Sequence, residues 1–253
     1  MRIRNRRTVL TAAVLTALVT TGGCGTSAES RTTKVSVPQA AGETSHTTIA
    51  GDRGPGDQPD VLPGLGPRTR ADIPDHTRQA LVVTGSGRNS WKSKAVLYER
   101  TDTGWQAKAS WPARNALRGW TADHRAGDLR SPVGVFTLSD AGGRLADPGS
   151  RLPYSQSPNF RIGGTGFAGE PLAGSFDYVI AIDYNRERGT SPLDPTKPLG
   201  AESGGGIWIH VDHGGPTHGC VSLSRPHVER LLRLLDPARH PVVVMGDAAS
   251  LAT

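Results

Sequence analysis

From about residue 80 the chain is a series of short apolar runs separated by glycine and polar turns. Residues 80–84 (Ala-Leu-Val-Val-Thr), 95–99 (Ala-Val-Leu-Tyr-Glu) and 105–111 (Trp-Gln-Ala-Lys-Ala-Ser-Trp) predict a meander of strands, with turns at 85–89 and 102–104. Further strands are expected at 133–138, 178–184, 207–211 and 242–245. Only one helix is strongly written, at about 225–235. There Val228, Leu231, Leu232 and Leu235 form an apolar face at i, i+3, i+4 and i+7, with Glu229, Arg230 and Arg233 elsewhere. Ser224 suits the N-cap, Pro226 is tolerated in the first turn, and Asp236-Pro237 ends the helix. The pattern predicts an α+β domain that is mostly β: a curled, mixed, sandwich-like sheet with one main helix directly after Cys220.

The preceding part of the chain has a different character. Residues 25–75 are rich in Ser, Thr, Gly and Pro, lack aromatics and scatter their apolar residues, so they bury too little surface to offset the entropy of ordering. As a flexible coil, roughly 50 such residues would span about 40 Å r.m.s.. At the start, Arg2, Arg4, Arg6 and Arg7 precede an apolar run at 9–19 that is too short to span a bilayer and reads as an export signal. The Arg6-Arg7 pair is compatible with the twin-arginine route. Small residues then lead to Thr-Gly-Gly-Cys24, which resembles a bacterial lipoprotein cleavage box, although Thr21 stands where Leu is usual. The expected organisation is a signal at 1–23, a lipid-attachment Cys24 with a disordered linker at 24–75, and a catalytic domain at 76–253. Lipid on Cys24 would tether the protein to the outer face of the cytoplasmic membrane, an extracytoplasmic location.

Charge changes the picture little. The chain has 29 Lys and Arg against 23 Asp and Glu, a net +6. Setting aside the four leader arginines leaves 25 against 23, a balance of +2. No basic stripe interleaved with aromatics is present, so nucleic acid is not an expected partner.

The chemistry is concentrated in Gly-Ile-Trp-Ile-His210-Val-Asp-His213-Gly-Gly-Pro-Thr217-His218-Gly219-Cys220-Val. The chain has 2 cysteines, and with Cys24 in the leader region Cys220 has no disulfide partner in the body of the protein. A thiol is a strong nucleophile as thiolate, and an adjacent imidazole can take its proton. A strand would hold His210, the Gly214-Gly215-Pro216 turn would reverse the chain, and Thr217-His218-Gly219 would bring Cys220 back to it. Gly219 leaves an approaching carbonyl unobstructed and permits unusual backbone angles. Backbone N–H groups around 218–220 would face the oxygen on which negative charge develops.

These residues resemble the active-site signature of the bacterial L,D-transpeptidases: a histidine on a strand, then Ser/Thr-His-Gly-Cys. Thr217, His218, Gly219 and Cys220 match that ending, and Ser131-Pro132-Val133-Gly134-Val135-Phe136 is similar to the upstream Thr-Pro-x-Gly-x-Phe strand. The gap of six residues between His210 and Thr217 is shorter than in the better-known members, and Val221-Ser222 replaces the usual hydrophobic-Asn or hydrophobic-Arg. Both features resemble a shorter-loop branch. The resemblance implies a transpeptidase-type fold in which Cys220 attacks the carbonyl after the third residue of a peptidoglycan stem tetrapeptide and forms a thioester. It implies His210 as the base, with Thr217, His218 and Gly219 in the oxyanion and substrate-binding loop. A stem-peptide amine would then resolve the thioester into a 3→3 cross-link, or water would resolve it in a carboxypeptidase reaction. No metal or organic cofactor is implied, and such enzymes are acylated by carbapenems.

Two other classes compete. His210, His213, His218 and Cys220 are sufficient ligands for zinc, but their spacing matches no common pattern, and residues three apart on a strand point to opposite faces unless the strand ends between them. A lipoprotein that binds the cell wall without catalysis would share the leader, tail and fold. Among neighbouring residues, His218 is expected to order the loop or contact substrate, and His213 has no expected catalytic part. Trp120, Asp123, His124 and Arg125 sit between strands, where they either line the cleft or, as the favoured reading, lie on a solvated loop. Tyr184 and Asn185 belong either to the cleft or to the framework.

Overall fold

A computed structural model describes residues 60–253. The leader, Cys24 and the linker up to residue 59 lie outside the described residues. No described helix is long and apolar enough to cross a membrane.

The elements run α1 (Pro67–Ala71), β1 (Gln79–Gly85), β2 (Lys92–Thr101), β3 (Gly104–Arg114), β4 (Trp120–Thr121), β5 (Ser131–Pro132), β6 (Gly134–Thr137), β7 (Ala141–Gly143), β8 (Tyr154–Gln156) and β9 (Val179–Ala181). They continue with β10 (Trp208–Val211), β11 (Val221–Leu223), α2 (Arg225–Leu234), β12 (Val242–Asp247) and α3 (Ala248–Leu251). Ten strands form one curled mixed sheet in the order β6-β12-β1-β2-β3-β11-β10-β9-β7-β8, and β4 pairs with β5 separately. The architecture is the mostly-β α+β fold expected of the catalytic domain.

β1 shows why its sequence is a continuous apolar run rather than an alternating one. Leu81 and Val83 enter the main core, which also holds Ile180, Ile209, Val221 and the α2 residues Val228, Leu231 and Leu232. Ala80 and Val82 enter a second core with Val242, Val244, Trp105 and Leu251. A strand covered on both faces has no polar side to display. The second core corrects one expectation. Leu62 and Leu65, placed in the disordered tail above, are buried in it. Gly66 N–H donates to Leu251 O at 2.8 Å, and the N–H groups of Arg68 and Thr69 donate to Thr253 O at 3.0 and 3.2 Å. A Cβ on Gly66 would lie 2.2 Å from Ala252 O, so only glycine fits where α1 begins. Residues 60–75 therefore belong to the folded domain; two leucines and a glycine suffice to anchor what composition assigned to a linker.

Two local expectations also change. Ser224 makes no side-chain cap to α2; its carbonyl accepts from Val228 N–H at 3.0 Å instead. The helix does not directly follow Cys220, because β11 intervenes. That three-residue strand fixes the geometry of the site.

Candidate active site

β10 and β11 are parallel neighbours, with Ile209 opposite Val221 and His210 opposite Ser222. Side chains alternate along each strand, so Ile209 and Val221 enter the core while His210 and Ser222 share the other face. One step back along the chain, Cys220 comes level with Trp208, whose N–H points to Sγ at 3.4 Å. His210 and Cys220 thus lie on the same face, one diagonal apart, and both line a hollow of about 200 Å³ with Phe176, Leu172, Ile162 and His213. Cys220 is half-buried, with Sγ 3.6 Å from Gly206 O.

His210 is 3 % exposed. Its Nδ1 lies 2.9 Å from Val211 O. A carbonyl only accepts, so Nδ1 carries the hydrogen and Nε2 keeps the free lone pair. Phe176 packs edge-on against the ring at 5.5 Å. Burial pushes the His210 pKa down to about 4, against the pull of the Val211 carbonyl, and the His213 charge lowers it further. Burial also pushes the Cys220 thiol up to about 11, partly offset by Trp208 N–H. At neutral pH both groups are uncharged. Burial thus favours the neutral thiol and the neutral imidazole over a thiolate–imidazolium pair.

The loop between the strands is tied down residue by residue. β10 ends at Val211, and Asp212 N–H donates to Leu223 O at 2.7 Å. Gly214 takes a φ of +96°, the turn a glycine is needed for. Thr217 N–H donates to Asn115 O at 3.0 Å, and its hydroxyl donates to Cys220 O at 2.6 Å. The buried Thr217 hydroxyl is thus engaged in the turn rather than offered to a substrate. Gly219 serves close packing and not backbone freedom. Its φ lies outside the left-handed region, whereas a Cβ there would come 2.9 Å from Ile207 Cδ1. His218 is exposed, at the rim, its ring 4.6 Å from that of Phe167.

Phe167 belongs to a small flap at 162–172, closed by Gly166 N–H to Glu170 O at 2.7 Å and Leu172 N–H to Gly164 O at 3.1 Å. Glu170 latches the flap to the loop between β10 and β11 through His213 Nδ1 at 3.0 Å. Its carboxylate fits because Gly166 and Gly215 lack side chains: a Cβ on either would fall 2.1 or 1.8 Å from Oε1. The His213 and His210 rings stack at 5.8 Å and 10°. The strand does end between them, so the two histidines converge as the zinc reading required. Among the described residues, no group of three or more His, Cys, Asp and Glu side chains could hold a metal ion.

The wall facing Sγ is Gly204-Gly205-Gly206, with φ of +67°, +141° and +66°. Asn185 holds it from behind, its Nδ2 donating to Gly204 O at 2.6 Å and Gly200 O at 2.9 Å. Tyr184 hydroxyl donates to Ser203 O at 2.8 Å. Both residues are therefore framework for the cleft. Trp120 and His124, expected on a solvated loop, are buried instead; Asp123 and Arg125 are exposed and pair with each other at 3.1 Å. Glu170 and Phe176 carried no sequence signal, since nothing local relates them to the Cys220 motif.

The family model described as YkuD, L,D-transpeptidase catalytic domain, matches residues 71–244. No curated protein matches the chain. Similar solved structures include Bd1075 of Bdellovibrio bacteriovorus, at 17% identity and a TM-score of 0.40, covering 74% of this chain and 54% of that one. Another is the helical cell shape determining protein Pgp2 of Campylobacter jejuni, at 18% and 0.39, covering 68% and 49%. The chain spans about half the length of each, 54% and 49%.

Proposed function

Because the chain belongs to the L,D-transpeptidase catalytic-domain family, whose members act on peptidoglycan stem peptides, we propose that it is a cysteine acyltransferase working through a thioester on Cys220. The observation that carries this reading is the shared face of His210, on β10, and Cys220, just before the parallel strand β11, beside one hollow. Sγ attacks the peptide carbonyl after the third stem residue while His210 Nε2 takes the thiol proton. The tetrahedral oxygen is held by N–H groups of the 218–220 turn. His210 then returns the proton to the departing amine, the terminal D-alanine leaves, and the acyl group remains on sulfur. An amine of a second stem resolves the thioester into a 3→3 cross-link; water in its place gives a tripeptide. A neutral pair suits the first step, since the imidazole is free to accept a proton and the thiol still has one to give.

The leader and Cys24 support export and lipid attachment, with the domain working outside the cytoplasmic membrane. Mass spectrometry of the intact protein incubated with a carbapenem tests the chemistry. A covalent adduct that is absent from Cys220→Ala is expected, and no adduct on folded wild-type protein would overturn the reading. Incubation with disaccharide-tetrapeptide then distinguishes the acceptors: dimers mean amine, tripeptides mean water, and neither product removes peptidoglycan as substrate.

A further inference from the structure

The Cys220 thiol stands between two hollows. One is the hollow of His210. The other, of about 280 Å³, is bordered by 204–207, Leu129, Lys197 and His124; Gly206, His218 and Cys220 border both. His210 lines only the first and His124 only the second.

His124 has the attributes of a proton acceptor. It is 7 % exposed and packs edge-on against Tyr184 at 5.3 Å. Asp128 Oδ1 is 3.1 Å from Nδ1, but off line for the ring N–H, and that buried nitrogen has no aligned hydrogen-bond partner. Burial keeps the imidazole below the usual histidine range despite Asp128. Two glycines locate the ring relative to the nucleophile. A Cβ on Gly204 would lie 2.8 Å from Nε2, and one on Gly219 would lie 3.7 Å from Cε1. Glycine at 204 thus leaves room for Nε2, on a ring that borders the second hollow and abuts the residue just before Cys220.

Resting on the acyltransferase reading above, we propose that His124 is the base of the second half-reaction, deprotonating the acceptor that enters through the 280 Å³ hollow. The acceptor lone pair attacks the thioester carbonyl. A C–N bond (or C–O bond, with water) forms, the C–S bond breaks, and sulfur leaves as thiolate. The acceptor proton goes to His124 Nε2 and then, through solvent, to sulfur, which restores the thiol. His210, neutral again by then, lines only the first hollow, whereas His124 lines the one the acceptor enters. Asp128, 3.1 Å from Nδ1, favours the charged form of the His124 ring during the transfer.

The experiment follows the two halves separately with disaccharide-tetrapeptide and a carbapenem, by intact-protein mass spectrometry in rapid-quench time courses. In His124→Gln the acyl-enzyme is expected to form at the wild-type rate and then accumulate, with resolution slowed about 10²-fold or more. Free imidazole is expected to restore resolution in His124→Ala, a rescue that a merely structural role would not give. Wild-type resolution in His124→Gln would overturn the proposal. So would a parallel loss of both half-reactions in the two variants without imidazole rescue. A wild-type protein that never forms an adduct would instead overturn the parent reading, and this one with it.

Discussion

At the scale of the residue, the site depends on where two protons sit. Nδ1 of His210 is committed to Val211 O, so the Nε2 lone pair is available as long as the ring stays neutral. Since burial lowers this pKa to about 4, the base form is present above that value and lost below it. Carbapenem acylation is therefore expected to hold from neutral pH down to about 5 and to fall as pH drops through about 4; a fall centred near the ordinary histidine value would contradict the assigned burial. His210→Ala is expected to slow acylation by about 10²- to 10⁴-fold at unchanged far-UV circular dichroism. Thr217→Val removes the 2.6 Å donor to Cys220 O, which costs about 1–3 kcal/mol for a buried acceptor, read as a lower denaturant midpoint. Cys220 and His210 were legible in sequence because strand, turn and thiol are contiguous. His124 was misread as solvated because the glycines that bury it, Gly204 and Gly219, lie far along the chain.

At the scale of the element, the sheet does its work through a strand of three residues. Val-Ser-Leu at 221–223 is too short to show a period, yet its parallel register with β10 puts sulfur and imidazole on one face. Longer strands β1, β2, β3 and β12 and the helix α2 were legible because each has enough apolar positions to reveal a repeat. The flap at 162–172 was not, since what docks it is Glu170 meeting His213 across 43 residues. Glu170→Ala is expected to loosen the flap while sparing the sheet. Hydrogen exchange should then speed up at 163–172 and stay unchanged in β1 and β12; uniform acceleration would mean the latch holds more than the flap.

At the scale of the whole molecule, the folded domain begins earlier than composition implied. Leu62 and Leu65 are buried against β1 and β12, and burying a leucine contributes about 1.5–3 kcal/mol. A chain of 76–253 is accordingly expected to melt lower than one of 60–253 by thermal circular dichroism; equal midpoints would show that the first segment only decorates the surface. The clamp formed by Gly66, Arg68 and Thr69 on Leu251 and Thr253 has a mechanical meaning as well. Tension applied at residue 60 is taken up by buried Leu62 and Leu65 and by these bonds to the terminal turn behind β12. In strand order β1, β2 and β3 stand between β12 and β11, so load is shed at one margin of the sheet before it can disturb the spacing of sulfur and ring.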